Sequence, residues 1–155
     1  MFPTTIFAQL GIVALVFAFS FALWKGDSAE RIGGGVNLAA GLFAMLIHPF
    51  VSADLEPIFQ LVADAILAGG FLFLAIRFAS LWLGVAMLLQ AVQFSLHAYY
   101  MVDEVAPNLL FWRVNNGDSW AIILCIVGGT IVSWRRRLKK ERVAASKATA
   151  EASRG

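Results

Sequence analysis

Two polar pairs stand inside otherwise apolar sequence, and they are the residues of this chain best placed to do chemistry. Gln60 and Asp64 are four residues apart, and so are Gln93 and His97, with Gln90 three residues before Gln93. On a helix, spacings of three or four put side chains on one face, so each set forms a polar stripe. A carboxylate, an imidazole and carboxamides in one place can bind a polar ligand or pass a proton. The imidazole titrates near neutrality, and the amides both donate and accept hydrogen bonds. The chain's other histidine is His48, followed by Pro49.

These stripes are carried by residues 57–101, which hold only two formally charged side chains, Asp64 and Arg77. As one helix this stretch would run about 68 Å, roughly twice the hydrocarbon thickness of a bilayer. It must fold back as two spans with Arg77 at the tip, which leaves Asp64 as the carboxylate inside the membrane. A hairpin at Arg77–Ser80 places Gln93 level with Asp64 and His97 level with Gln60. Counted from Pro57, Asp64 lies about 10 Å below the nearer boundary at 1.5 Å per residue. The same counting brings His48, at the end of the preceding span, near that level.

Gln60, Asp64, Gln90, Gln93, His97 and His48 therefore form the expected ligand or proton site, since intramembrane ionisable groups tend to mark pathways and ligand sites. The competing reading is structural: such groups also join helices, at about 0.6 kcal/mol per hydrogen bond and rarely above 2. Two histidines on different helices raise a further alternative, a b-type haem ligated by His48 and His97, or a quinone beside them. No Cys-x-x-Cys-His is present for covalent haem, and the lone Cys125 reads as a small packing residue. No metal site and no resident cofactor are expected.

Composition fits a membrane. Hydrophobic residues make up 60% of the 155 residues and charged ones 14%, against roughly 25% charged in soluble domains. The expected fold is all-α, an integral membrane bundle of five transmembrane helices over residues 1–140, with spans near 4–24, 32–50, 57–76, 80–101 and 120–134. Residues 141–155 form a polar tail, helical briefly and then frayed. The first span has no basic residue ahead of it and no small-residue cleavage site before Lys25, and it reads as retained.

With five spans, eleven of the twelve basic residues fall on one side and only Arg113 on the other. That grouping predicts an external or periplasmic N-terminus and a cytoplasmic C-terminus. Arg135, Arg136, Arg137, Lys139 and Lys140 form the topology anchor, facing anionic headgroups. Asp27 with Glu30 predicts a capping box, Pro57 suits the first turn of the third helix, and Asp118-Ser119 would cap the fifth. The loop 102–119 carries Leu109-Leu110-Phe111-Trp112, expected at the interface or the bundle mouth, and Tyr99 and Tyr100 read as interface belt. The glycines at 33–35, 41, 69–70 and 128–129 predict close helix packing, with the fifth helix facing outward.

No nucleotide-binding motif, nucleophile elbow or His-Glu-x-x-His occurs, which argues against an enzyme or an ATP-driven pump. The sequence points first to a small multi-pass protein of a bacterial inner membrane. It would act as a non-enzymatic accessory or structural subunit, with the lipid bilayer and other membrane subunits, or further copies of itself, as partners and with no nucleic acid. The alternatives are a small transporter or ligand-binding protein using the Asp/Gln/His ladder, and a b-haem or quinone redox protein.

Overall fold

The computed structural model describes residues 3–52, 54–103 and 106–153, with the side chains of residues 3–8 and of His48 lying outside the description. Among these residues the fold is all-helical: α1 (Pro3–Lys25), α2 (Ser28–Ile47), α3 (Glu56–Phe78), α4 (Leu81–Val102) and α5 (Leu109–Ala152), with one 3-10 turn, His48–Phe50. Helices α2 to α5 are each long and apolar enough to cross a membrane. The ring closes in sequence order. Each helix packs on the next, α5 returns to α1, and α2 and α5 also touch across the middle.

Local chemistry sets the helix ends. Asp27 precedes α2, and the Glu30 carboxylate reaches back to the Asp27 backbone N–H at 2.9 Å, the return half of the expected capping box. The Asp27 carboxylate itself turns to Arg137 at 2.8 Å. Helix α2 stops at Ile47, short of the expected 50, because Pro49 supplies no N–H and disfavours helical geometry in the residue before it. Pro57 sits in the first turn of α3.

The largest departure from expectation is α5. It begins at Leu109 rather than near 120 and runs 44 residues, about 66 Å at 1.5 Å per residue. Asn108 starts it, its side chain accepting from the backbone N–H groups of Leu110 and Phe111. The supposed loop 102–119 is thus helical from Leu109, and Asp118-Ser119 lies inside the helix instead of capping it. Nor does the helix face outward: it contacts α1, α2 and α4, with Phe111, Ile122, Ile123 and Ile126 buried. At its far end the helix continues through the polar tail to Ala152.

One end of the ring gathers the α1–α2 turn, the α3–α4 turn and the basic tract of α5. Arg137 donates to the Lys25 carbonyl at 2.7 Å as well as pairing with Asp27, so one guanidinium ties α5 to the α1–α2 turn and satisfies a helix-end carbonyl. We call this the basic end.

A dry layer lies between this end and the middle of the bundle. Phe71, Leu83 and Ile126 are fully buried there with Ala18, Ala22 and Ala86. Trp82 is wedged beside the layer: a Cβ added to Gly33 would stand 2.7 Å from its ring, and one added to Gly129 would stand 2.5 Å away. Its indole N–H donates to Glu30 at 3.0 Å. Gly34, Gly35 and Gly41 also meet side chains of α1, as close packing predicts. Gly69, Gly70 and Gly128 do not: a Cβ there would meet nothing within 4 Å.

The two-residue α3–α4 turn holds Ala79 at φ 46°, in the left-handed region, as the C-cap of α3. A Cβ is disfavoured in that conformation by about 1–2 kcal/mol. Ala79→Gly is therefore expected to raise stability by about 0.5–1 kcal/mol after the extra freedom of glycine in the unfolded chain is set against it. Thermal denaturation in detergent checks this.

Candidate functional site

Above the dry layer, toward the opposite end of the ring, lies a cavity of about 390 Å³ bordered by residues of all five helices. Its polar lining comprises Gln60 and Asp64 from α3, Gln90, Gln93 and His97 from α4, Asn37 from α2, and Asn115 and Ser119 from α5. The rest is apolar, and among the described residues no Lys or Arg borders it.

Asp64 is the hub. Gln90 Nε2 donates to its Oδ1 at 2.8 Å, and His97 Nδ1 lies 2.5 Å from its Oδ2. All three residues are at least nine-tenths buried: Asp64 is 7% exposed, Gln90 2% and His97 9%. The expected register put Gln93 opposite Asp64. In the structure Gln90 and His97, two turns apart on one face of α4, bracket that level and both reach the carboxylate. Gln93 instead turns toward α5, donating to Asn115 Oδ1 at 2.8 Å while accepting from Gln90 at 3.4 Å. The polar chain thus runs from α3 through α4 to α5. Gln60 lines the cavity but hydrogen-bonds to Glu56 rather than His97.

One hydrogen bond joins carboxylate and imidazole: an ionised Asp64 accepts from His97 Nδ1–H, and a protonated one donates to a bare Nδ1. With Nδ1 committed to Asp64, Nε2 is the nitrogen left to meet a ligand. The ring edge of His97 rests against Phe111 at 5.3 Å between centroids, and Phe111 packs on Tyr100 at 5.0 Å. Tyr100 is buried and donates to Asn108, so of the expected belt pair only Tyr99 is exposed.

A second cavity of about 310 Å³ adjoins the first, lined by Glu56, Gln60, His97, Tyr100, Phe111 and Trp112. Gln60 and His97 border both spaces. Phe111 and Trp112 thus take the bundle-mouth position expected of that segment, while Leu109 and Leu110 are exposed.

Three site residues were missed from sequence. Asn115 and Asp118 fell in the supposed loop, and the Pro107-Asn108 start signal ahead of an apolar run was the clue that would have placed them on a helix. Asn37 is the lone polar side chain in the middle of α2. Asp118 is 7% exposed, has an Oδ2 with no hydrogen-bond partner among the described residues, and lies within Coulombic reach of Asp64. Asp64 is therefore not the sole buried carboxylate of the bundle. His48 belongs to the turn after α2, and its side chain lies outside the described residues, so a His48–His97 ligand pair has no geometry here. Among the described residues no group of three metal-ligating side chains occurs. Comparison with protein-family models, with curated proteins and with solved structures finds no match for this chain.

Proposed function

We propose that this is a five-span membrane protein, N-terminus outside and C-terminus cytoplasmic, that binds or transports a small neutral or singly cationic molecule at Asp64, beside the hydrogen-bonded His97. The observation that carries this reading is the cavity itself. All five helices border it, the buried Asp64–His97 pair lines it, and it lacks any fixed positive charge. Amides and a carboxylate without Lys or Arg favour neutral or cationic ligands over anions. The mouth at Glu56 and Tyr100 gives access from one end, and the layer at Phe71, Leu83 and Ile126 closes the other. The gathering of basic residues at the closed end supports its assignment to the cytoplasm.

A second reading, a packing subunit of a larger membrane complex, draws on Gly69 and Gly70 of α3, where an added Cβ would meet nothing within 4 Å among the described residues. A third, haem or quinone binding, draws only on the free Nε2 of His97.

One experiment separates the three. The protein is purified in mild detergent on a C-terminal tag and analysed by native mass spectrometry and absorption spectroscopy. The proposal expects a small non-lipid mass, lost in Asp64→Asn. A stoichiometric protein partner without such a mass would overturn it in favour of the subunit reading, and a Soret band in favour of haem.

A further inference from the structure

The second large feature of the molecule is at the basic end, on the far side of the dry layer from Asp64. A cleft of about 700 Å³ opens between the start of α2, the α3–α4 turn and α5. Phe78, Leu81, Val85 and Val132 give it an apolar floor, and Ser80, Ser133 and Arg136 stand among its polar lining. Gly128 also borders it, and a Cβ there would meet nothing within 4 Å, so the floor is open at that point.

The charges around the cleft are unequally used. Its two acids are committed: Glu30 accepts from the Asp27 backbone with one oxygen and from Trp82 with the other, and Asp27 pairs with Arg137. Arg136 makes no hydrogen bond or ion pair with any described residue. It also borders a second space of about 480 Å³, which runs along α5 past Lys139, Lys140, Val143 and Lys147. An apolar cleft thus continues, through one uncommitted guanidinium, onto an open face of α5 that carries three lysines.

We propose that this continuous surface holds one anionic phospholipid, with an acyl chain in the cleft over Gly128 and its phosphate at Arg136 with Lys139 and Lys140. A basic pocket between helices at the cytoplasmic boundary is the setting in which anionic headgroups are recognised. The guanidinium forms paired, charge-assisted hydrogen bonds to phosphate oxygens. A zwitterionic lipid gains less, because both acids of the cleft are already partnered and its ammonium finds no uncommitted carboxylate there. A free anion gains nothing from the apolar floor. This site is independent of the Asp64 cavity and of any function proposed for it.

The test uses full-length protein in nanodiscs of equal phosphatidylglycerol and phosphatidylethanolamine with identical acyl chains, released in native mass spectrometry. One phosphatidylglycerol per chain is expected to stay bound. Arg136→Gln should reduce its retention roughly fivefold or more, from about 1 kcal/mol or more per headgroup contact. Gly128→Leu, whose Cβ meets nothing within 4 Å and whose branch would occupy the apolar cleft, should do the same with the thermal midpoint preserved. Arg135→Gln, beside the site but lining neither space, should leave retention unchanged. Equal retention of the two lipids would overturn the proposal. So would equal losses in Arg135→Gln and Arg136→Gln, which would mean diffuse attraction to the basic tract. Displacement by added inorganic phosphate would assign the site to a free anion instead.

Discussion

Replacing Asp64 by asparagine is expected to weaken ligand binding at least tenfold while the protein still folds. Asparagine nearly matches aspartate in shape, and its amide can accept from Gln90 and donate to a bare His97 Nδ1. Both hydrogen bonds of the hub survive in kind, and stability should change by less than about 1 kcal/mol given the modest worth of interhelical hydrogen bonds. What is lost is the carboxyl group's capacity to carry a negative charge. A hydrogen bond to a charged group contributes about 1.5–3 kcal/mol, so affinity for the small molecule should fall roughly 10- to 100-fold. Asp64→Leu provides the contrast, because it leaves buried Gln90 and His97 without their acceptor. It should cost about 1–3 kcal/mol in stability as well as binding. If Asp64→Asn retained the bound mass at the wild-type level, the carboxylate would be structural only, and the proposed site would fall.

The second large effect belongs to two adjacent glycines that should respond with opposite signs. Gly129→Ala puts a methyl 2.5–2.7 Å from the Cδ1, Cγ and Nε1 atoms of Trp82, near the root of a rigid ring with little room to turn. The ring is also held by Glu30 and by Gly33 on its far edge. Overpacking of this kind costs about 1–3 kcal/mol, and at so short a distance the upper part of that range is expected. Gly128→Ala meets nothing and gains helix propensity, stabilising by up to about 1 kcal/mol. Thermal denaturation of the two variants should bracket the wild type. A cycle with Trp82→Leu identifies the cause: in that background the penalty of Gly129→Ala should largely vanish. A penalty that persisted would place the strain elsewhere than in the Trp82 wedge.

Much of the helix pattern was legible because an apolar run longer than a bilayer must fold back. The α3–α4 hairpin followed from the length of the 57–101 stretch and the place of Arg77. The α2 start followed from Asp27 and Glu30, where a short-range hydrogen-bond pattern writes itself into neighbouring residues. The same approach failed at α5. Residues 109–119 mix Asn, Gly, Asp and Arg with large apolar side chains, and on hydropathy alone they resemble a loop. They are helical because Asn108 caps the first turn and because Phe111, Asn115 and Ile122 each find partners on other helices, which composition does not record.

The sequence by itself determined that the chain is all-helical and membrane-like, that its basic residues would collect at one end, and that the polar stripes Gln60–Asp64 and Gln90–Gln93–His97 would stand on neighbouring helices, with Gln93 rather than the Gln90–His97 pair expected level with Asp64. Periodicity, span length and charge are properties of the chain read in order. Only the tertiary structure decided which of those polar groups touch. A rotation of one helix by a fraction of a turn chooses between Gln93 and the Gln90–His97 pair as partners of Asp64, and side-chain packing against the other four helices sets that rotation. The closure of α5 onto α1 has the same origin, and it turns a polar stripe into a cavity bordered by all five helices, with Asn115 within hydrogen-bonding reach of Gln93 and a further buried carboxylate at Asp118.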